Sequence, residues 1–124
     1  MQRERVDTQR ERRGHDFLSD ADTLGKIPVL YGTEDTPAED KIIWLHYFSA
    51  ASDHYVAEVG WDEDAGAWLA FGYAIFAGFP EGAEWGYLSL NELEEVNAHG
   101  GLVIVERDLH WEPRPFGFVM RERS

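Results

Sequence analysis

Residues 84–116 read EWGYLSLNELEEVNAHGGLVIVERDLHWEPRPF, and they spell a strand, a capped helix, a glycine stop, a second strand and a proline-braked tail. Ser89 followed by Glu92 is a capping box, in which the hydroxyl accepts from the Glu92 amide and the carboxylate reaches back. Leu90, Leu93 and Val96 then recur at helical spacing and make one narrow apolar stripe. Glu92, Glu94 and Glu95 fall in the early turns, where the positive end of the helix dipole favours them. Gly100 and Gly101 supply the stop, because glycine accepts the left-handed conformation at a helix end. Such a helix, about three turns long, needs a sheet to cover its stripe. Beyond it, Leu102–Trp111 alternates, with Val103, Val105, Leu109 and Trp111 on one side and Leu102, Ile104, Glu106, Asp108 and His110 on the other. The first half reads as buried on both faces. Pro113 and Pro115 end it, since neither donates to a ladder.

Working back towards the N-terminus, the chain reads as hairpins. Lys41–Ser49 is a long strand, with Ile42, Trp44, His46 and Phe48 on one face and Ile43, Leu45 and Tyr47 on the other. Two apolar faces place it centrally. His54–Trp61 follows, Tyr55, Ala57 and Val59 facing one way and His54, Val56 and Glu58 the other. DEDAG (62–66) has the Asp and Gly of a tight turn. In Trp68–Phe76 the small residues Ala70, Gly72 and Ala74 share a face and leave room for a helix to approach. Ile27–Tyr31 reads as a short strand. Thr36, Pro37 and Glu39 order a one-turn helix, and Asp20 or Asp22 can cap a brief turn. The expectation is an α+β fold: one small domain with an antiparallel meander of about five strands and one main helix packed on one face. Residues 1–16 are a charged arm with a single aliphatic residue, Val6, after the initiator, and are expected to be flexible; 17–124 is the domain.

Charge is the most pronounced compositional feature, at −13 overall. Residues 1–13 hold five arginines against three acids, whereas 14–120 hold twenty acids against four Lys or Arg, a net −16. Such a surface repels nucleic acid and anionic membranes and suits a basic protein partner, a salt-rich setting or plain solubility. With no cysteine there is no disulfide framework and no thiolate metal site. No apolar run approaches a membrane span and no secretory apolar segment is present, so a cytoplasmic location is expected.

Motifs of strong chemical meaning are missing: no phosphate-cradling glycine loop, no HExxH and no nucleophile elbow. No catalytic residue, metal or cofactor is therefore assigned. One constellation is chemically capable. His46, Glu58, Glu106 and His110 would suit a divalent metal or acid–base work if their strands adjoin. The plainer reading makes His46 a core histidine and His110 a strand-end cap. The candidate binding residues are acidic: Glu34, Asp35, Glu39 and Asp40 in one loop, Asp62, Glu63 and Asp64 in a turn, and Glu92, Glu94 and Glu95 on the helix. Trp61 and Trp111 read as the most exposed of five tryptophans and join them as hot-spot candidates.

Three stretches also carry a family resemblance. GYLSLNELEEV (86–96), VERDLHWEPRPF (105–116) and IPVLYGTEDTPAEDKII (27–43) resemble the signature of domain-of-unknown-function family 2958, over roughly Lys26 to Phe116. LYGTED, WGYLSLNEL and ERDLHWEP are its most specific pieces. SAASDHYVAEV (49–59) departs from it, lacking a tryptophan that relatives carry before the tyrosine. The resemblance implies a short protein encoded on plasmids, integrative elements or phages, and implies no activity. Together with the charge, it points to a non-catalytic module that binds a basic, DNA-acting protein as a DNA mimic. An enzyme built on the His/Glu set and a structural accessory protein are the alternatives.

Overall fold

The DEDAG turn forms with the expected chemistry. The Asp62 carboxylate accepts from the amides of Asp64 (3.0 Å) and Ala65 (3.3 Å), and Gly66 sits at φ +61, where a side chain would be strained. In the computed structural model, which describes residues 9–98 and 103–123, this turn joins two long strands at the middle of a sheet. In chain order the helices are α1 (Arg10–Arg13), α2 (Ala21–Lys26), α3 (Leu90–Glu94) and α4 (Phe116–Arg123). The strands are β1 (Ile42–Ile43), β2 (Leu45–Phe48), β3 (Ser52–Asp62), β4 (Ala67–Phe76), β5 (Glu84–Ser89), β6 (Asn97–Ala98), β7 (Val103–Ile104), β8 (Glu106–Arg107) and β9 (Arg114–Pro115). The fold is α+β, with an open antiparallel five-stranded sheet in the order β5–β4–β3–β2–β8. The pairs β1–β9 and β6–β7 stand beside it.

The meander is as the sequence spells it, but its side-chain phase is broken twice. Between β1 and β2 the ladder lapses at Trp44, so Ile43 and Leu45 pack on opposite faces of the sheet. In β3 the register with β4 shifts between Val56 and Glu58. A bulge there puts Val56 and Val59 in the same core cluster, while Tyr55 and Ala57 face the other. The expected grouping of Val59 with Tyr55 and Ala57 is corrected accordingly.

Both faces of the sheet are covered. Phe17, Leu18 and Ile27 pack on one, together with Leu45, Tyr47, Ala70 and Leu90. The small Ala70 admits α3, whose Ser89 cap accepts from Glu92 N at 3.1 Å. The helix itself is only five residues long, not three turns, and gives way to β6; its expected stop at Gly100 and Gly101 lies outside the described residues. The other face carries Ile43, Tyr55, Ala57 and Ile75 under Val119 of α4. Phe116, Val119 and Met120 at i, i+3 and i+4 explain that helix, which the proline-rich tail conceals in the sequence.

Two further expectations change. Ile27–Tyr31 is not a strand: Pro28 has no N–H to give, and the stretch is anchored through Val59 N to Pro28 O at 3.0 Å. The charged arm is bound from Gln9 onward. Arg13 is buried, with Nη1 3.1 Å from Glu94 Oε2 and Nε donating to Val105 O at 2.7 Å. Asp20 caps α2 through Thr23 N at 2.8 Å. A one-turn 3-10 helix follows Pro37, over Ala38–Asp40.

Candidate functional site

The four residues of the expected constellation are held by separate partners. His46 lies on β2 between two carboxylates, Nε2 2.7 Å from Asp53 Oδ1 and Nδ1 3.1 Å from Asp108 Oδ2. Its ring stacks on Tyr55, the cross-strand neighbour, at 4.7 Å and lies 5.1 Å from Trp111. An ionised carboxylate only accepts, so both contacts are hydrogen bonds when both ring nitrogens carry a proton. Each ring nitrogen thus already faces a carboxylate oxygen. The other oxygen of Asp53 accepts from Arg123 Nη1 at 3.0 Å, and that same nitrogen donates to Tyr55 OH at 3.0 Å. This chain of contacts ties β2, β3, the loop after β8 and α4 together. Burial, and then the Asp53 charge, push the Tyr55 phenol above its ordinary value. Burial works to lower the Arg123 guanidinium, but Tyr55 and Asp53 outweigh it and hold it above its usual value.

Glu58 does different work. It is fully buried on β3 and accepts from Tyr31 N (2.7 Å), Thr33 N (3.2 Å) and the Thr33 hydroxyl. Lys41 Nζ in turn donates to Thr33 Oγ1 at 2.8 Å and to the Thr33 carbonyl. The group fixes loop 31–33 against the sheet and holds Tyr31 at φ +68, a backbone conformation that strains a non-glycine residue by on the order of 1–3 kcal/mol. Glu106 faces His15, 3.8 Å away. His110 is exposed, and its amide donates to Asp108 Oδ1 at 3.0 Å. Among the described residues no group of three or more His, Asp or Glu is placed to hold a metal ion.

The acidic candidates divide. Glu94 is buried against Arg13 and is no part of the surface. Glu34, Asp35, Glu39, Asp40, Glu63, Asp64, Glu92 and Glu95 are exposed and Asp62 is partly so, and none of the nine forms a salt bridge among the described residues. Several gather at one end of the sheet. Asp62 pairs with Ala67 beside the turn that carries Glu63 and Asp64. One step along, Trp68 N donates to Asn91 Oδ1 at 2.9 Å, which brings the start of α3 and Glu92 to that end. Loop 31–35 is anchored at Glu58, four residues from Asp62 or about 13 Å along the strand. Positive charge is mostly spent inside the fold. Arg10, Arg13, Arg114 and Arg123 meet Asp16, Glu94, Glu122 and Asp53, and Arg107 donates to the Asp16 carbonyl.

Trp61 and Trp111 are not the exposed anchors expected. Trp61 packs edge-on to Trp68 at 5.6 Å, and Trp111 donates to Ile43 O at 2.9 Å under the Arg114 guanidinium. The exposed rings lie elsewhere, at Phe76, Phe79, Phe118, Tyr31 and Tyr87; the last two, 60% and 52% accessible, lie 5.7 Å apart. Their signal in the sequence is the alternation of Trp85 and Tyr87 about Gly86. No protein-family model, curated protein or solved structure matches the chain. Among the described residues no helix is long and apolar enough to cross a membrane.

Proposed function

We propose that the chain is a non-catalytic protein-binding module that acts in the cytoplasm and meets a basic partner with the acidic end of its sheet. In its sharpest form it is a DNA mimic that inhibits a DNA-processing or defence protein. The mobile-element setting of that form comes from the resemblance of residues 26–116 to domain-of-unknown-function family 2958. The observation that supports the reading is the gathering of Asp62, Glu63, Asp64 and Glu92, none of them in a salt bridge among the described residues. Fixed carboxylates on rigid strand ends and turns present negative charge to a cationic surface much as phosphates do, and steer its approach. The enzymatic alternative has no comparable support, because His46, Glu58, Glu106 and His110 each serve a separate contact.

The test is capture of a partner from nuclease-treated host lysate by the tagged chain and by a variant with Glu63→Lys, Asp64→Lys and Glu92→Lys. The expected result is a stoichiometric, basic, DNA-binding protein that high salt releases, that duplex DNA displaces and that the variant fails to hold. Equal capture by the charge-reversed variant overturns the reading.

A further inference from the structure

β5 ends the sheet. Among the described strands only β4 pairs with it, so one edge of Glu84–Ser89 has no strand partner. Along it, Trp85 and Tyr87 point to the same face and oppose Tyr73 and Phe71 of β4. Phe71 stacks on Trp85 at 5.5 Å and lies 4.9 Å from Tyr87, whose ring continues to Tyr31. Phe116 of α4 covers the Trp85 end of this band of rings at 4.7 Å, and Tyr87 and Tyr31 are left exposed at an open strand edge. Two features distinguish it from leftover core. Tyr31 is held in a strained left-handed conformation by a buried carboxylate, yet its ring is left in solvent. The Glu58 hydrogen bond fixes that backbone, and with it the place of the exposed ring beside Tyr87. A cation already lies over the band, Lys41 Nζ standing 5.9 Å from the Phe71 ring centre.

We propose that this edge and its aromatic face bind an extended peptide segment carrying arginine or lysine at alternate positions. The proposal rests on the reading of the chain as a module for a basic partner, and names the part of the partner it would grip. Main-chain N–H and C=O groups of the segment complete the ladder of β5, as when a peptide adds a strand to a sheet. Side chains of an added strand repeat every second residue, about 6.7 Å, which is also the spacing of Trp85 and Tyr87. Guanidinium or ammonium groups on that face lie over the exposed rings of Tyr87 and Tyr31. Charge selects the occupant: a second copy of this chain would bring another −13 to the same edge.

The experiment is fluorescence anisotropy of the full chain with two labelled peptides. One alternates arginine and valine; in the other, proline replaces each valine, so the charge is kept while half of the peptide's N–H donors are lost and its backbone is barred from a regular ladder. The expected result is saturable binding of the first and none of the second. Tyr31→Ala with Tyr87→Ala, both at exposed positions, weakens binding roughly tenfold. Equal binding of the proline peptide, or an unchanged affinity in the double-tyrosine variant, overturns the proposal. So does sedimentation showing a dimer that the tyrosine changes dissolve. The charge-reversed variant separates the two readings. If only that variant loses the peptide, the acidic end stands and this surface falls. If only the tyrosine variant loses it while charge reversal leaves lysate capture intact, the surface stands and the acidic end falls.

Discussion

His54 shows how one buried side chain sets a pH dependence. It is buried on β3, its Nε2 lies 3.0 Å from Ser52 Oγ, and its Nδ1 is enclosed with no partner among the described residues. Burial holds the imidazole below its ordinary 6.5; the Asp53 charge opposes this and His46 adds to it. The unfolded chain therefore takes up the proton more readily than the folded one, and stability rises with pH across that interval. Stability is complete above 6.5 and falls as the pH drops from there through the lowered folded value. Urea midpoints measured near pH 7 and near pH 5, in the ordinary range of a histidine titration, will fall more steeply for this chain than for His54→Gln. Parallel slopes in the two proteins would show that the imidazole is protonated without cost.

Among the elements, two paired glycines make opposite demands. Gly72 on β4 and Gly86 on β5 face each other in the ladder. A Cβ at Gly72 would stand 2.2 Å from the Tyr55 carbonyl oxygen, where the bulged β3 presses close, whereas one at Gly86 meets nothing within 4 Å. Gly72→Ala should therefore lose about 1–3 kcal/mol of unfolding free energy through overpacking. Gly86→Ala should be neutral or gain up to about 1 kcal/mol by restricting the unfolded chain. Equal effects in denaturant titrations would show that the strands do not approach as described. The same bulge marks the limit of what the sequence discloses. Caps at Ser89 and Asp20, the turn ending at Gly66 and the meander order are written in residues close together along the chain, and they are legible there. The phase breaks at Trp44 and Ala57 are set by partner strands, and alternation carries no sign of them. Arg13 meets Glu94 across 81 positions, so the part of the arm from Gln9 onward, which reads as solvated, is packed against the domain. Among the site residues, the exposed acids are legible as charge, but charge alone assigns the buried Glu94 the same surface role. His46 was legible as a polar residue on an apolar strand. Its partners Asp53 and Asp108 depend on which strands adjoin, and no local pattern encodes that.

For the whole molecule the deciding quantity is the balance between repulsion and attraction among charges. Between residues 14 and 120 the net charge is −16, so the acids repel one another in the folded state more than in the expanded chain. Against this stand a few ion pairs. Arg10–Asp16, Arg114–Glu122 and Arg123–Asp53 are at least partly exposed and are worth at most about 1 kcal/mol each. Salt weakens both terms, and its net effect shows which is larger. Arg13–Glu94, with side chains 0% and 5% exposed, is shielded from it and drops out of the comparison. The Debye length falls from roughly 30 Å at 0.01 M to roughly 3 Å at 1 M salt. Over that range repulsion among carboxylates spread along an end of the sheet is removed almost entirely, while contact pairs near 3 Å keep part of their attraction. The melting temperature should therefore rise with sodium chloride, and the rise should shrink when Glu63→Lys and Asp64→Lys reduce the crowding. A melting temperature that falls with salt would mean that the exposed pairs outweigh the repulsion, and that the acidic end carries too little uncompensated charge to attract a cationic partner.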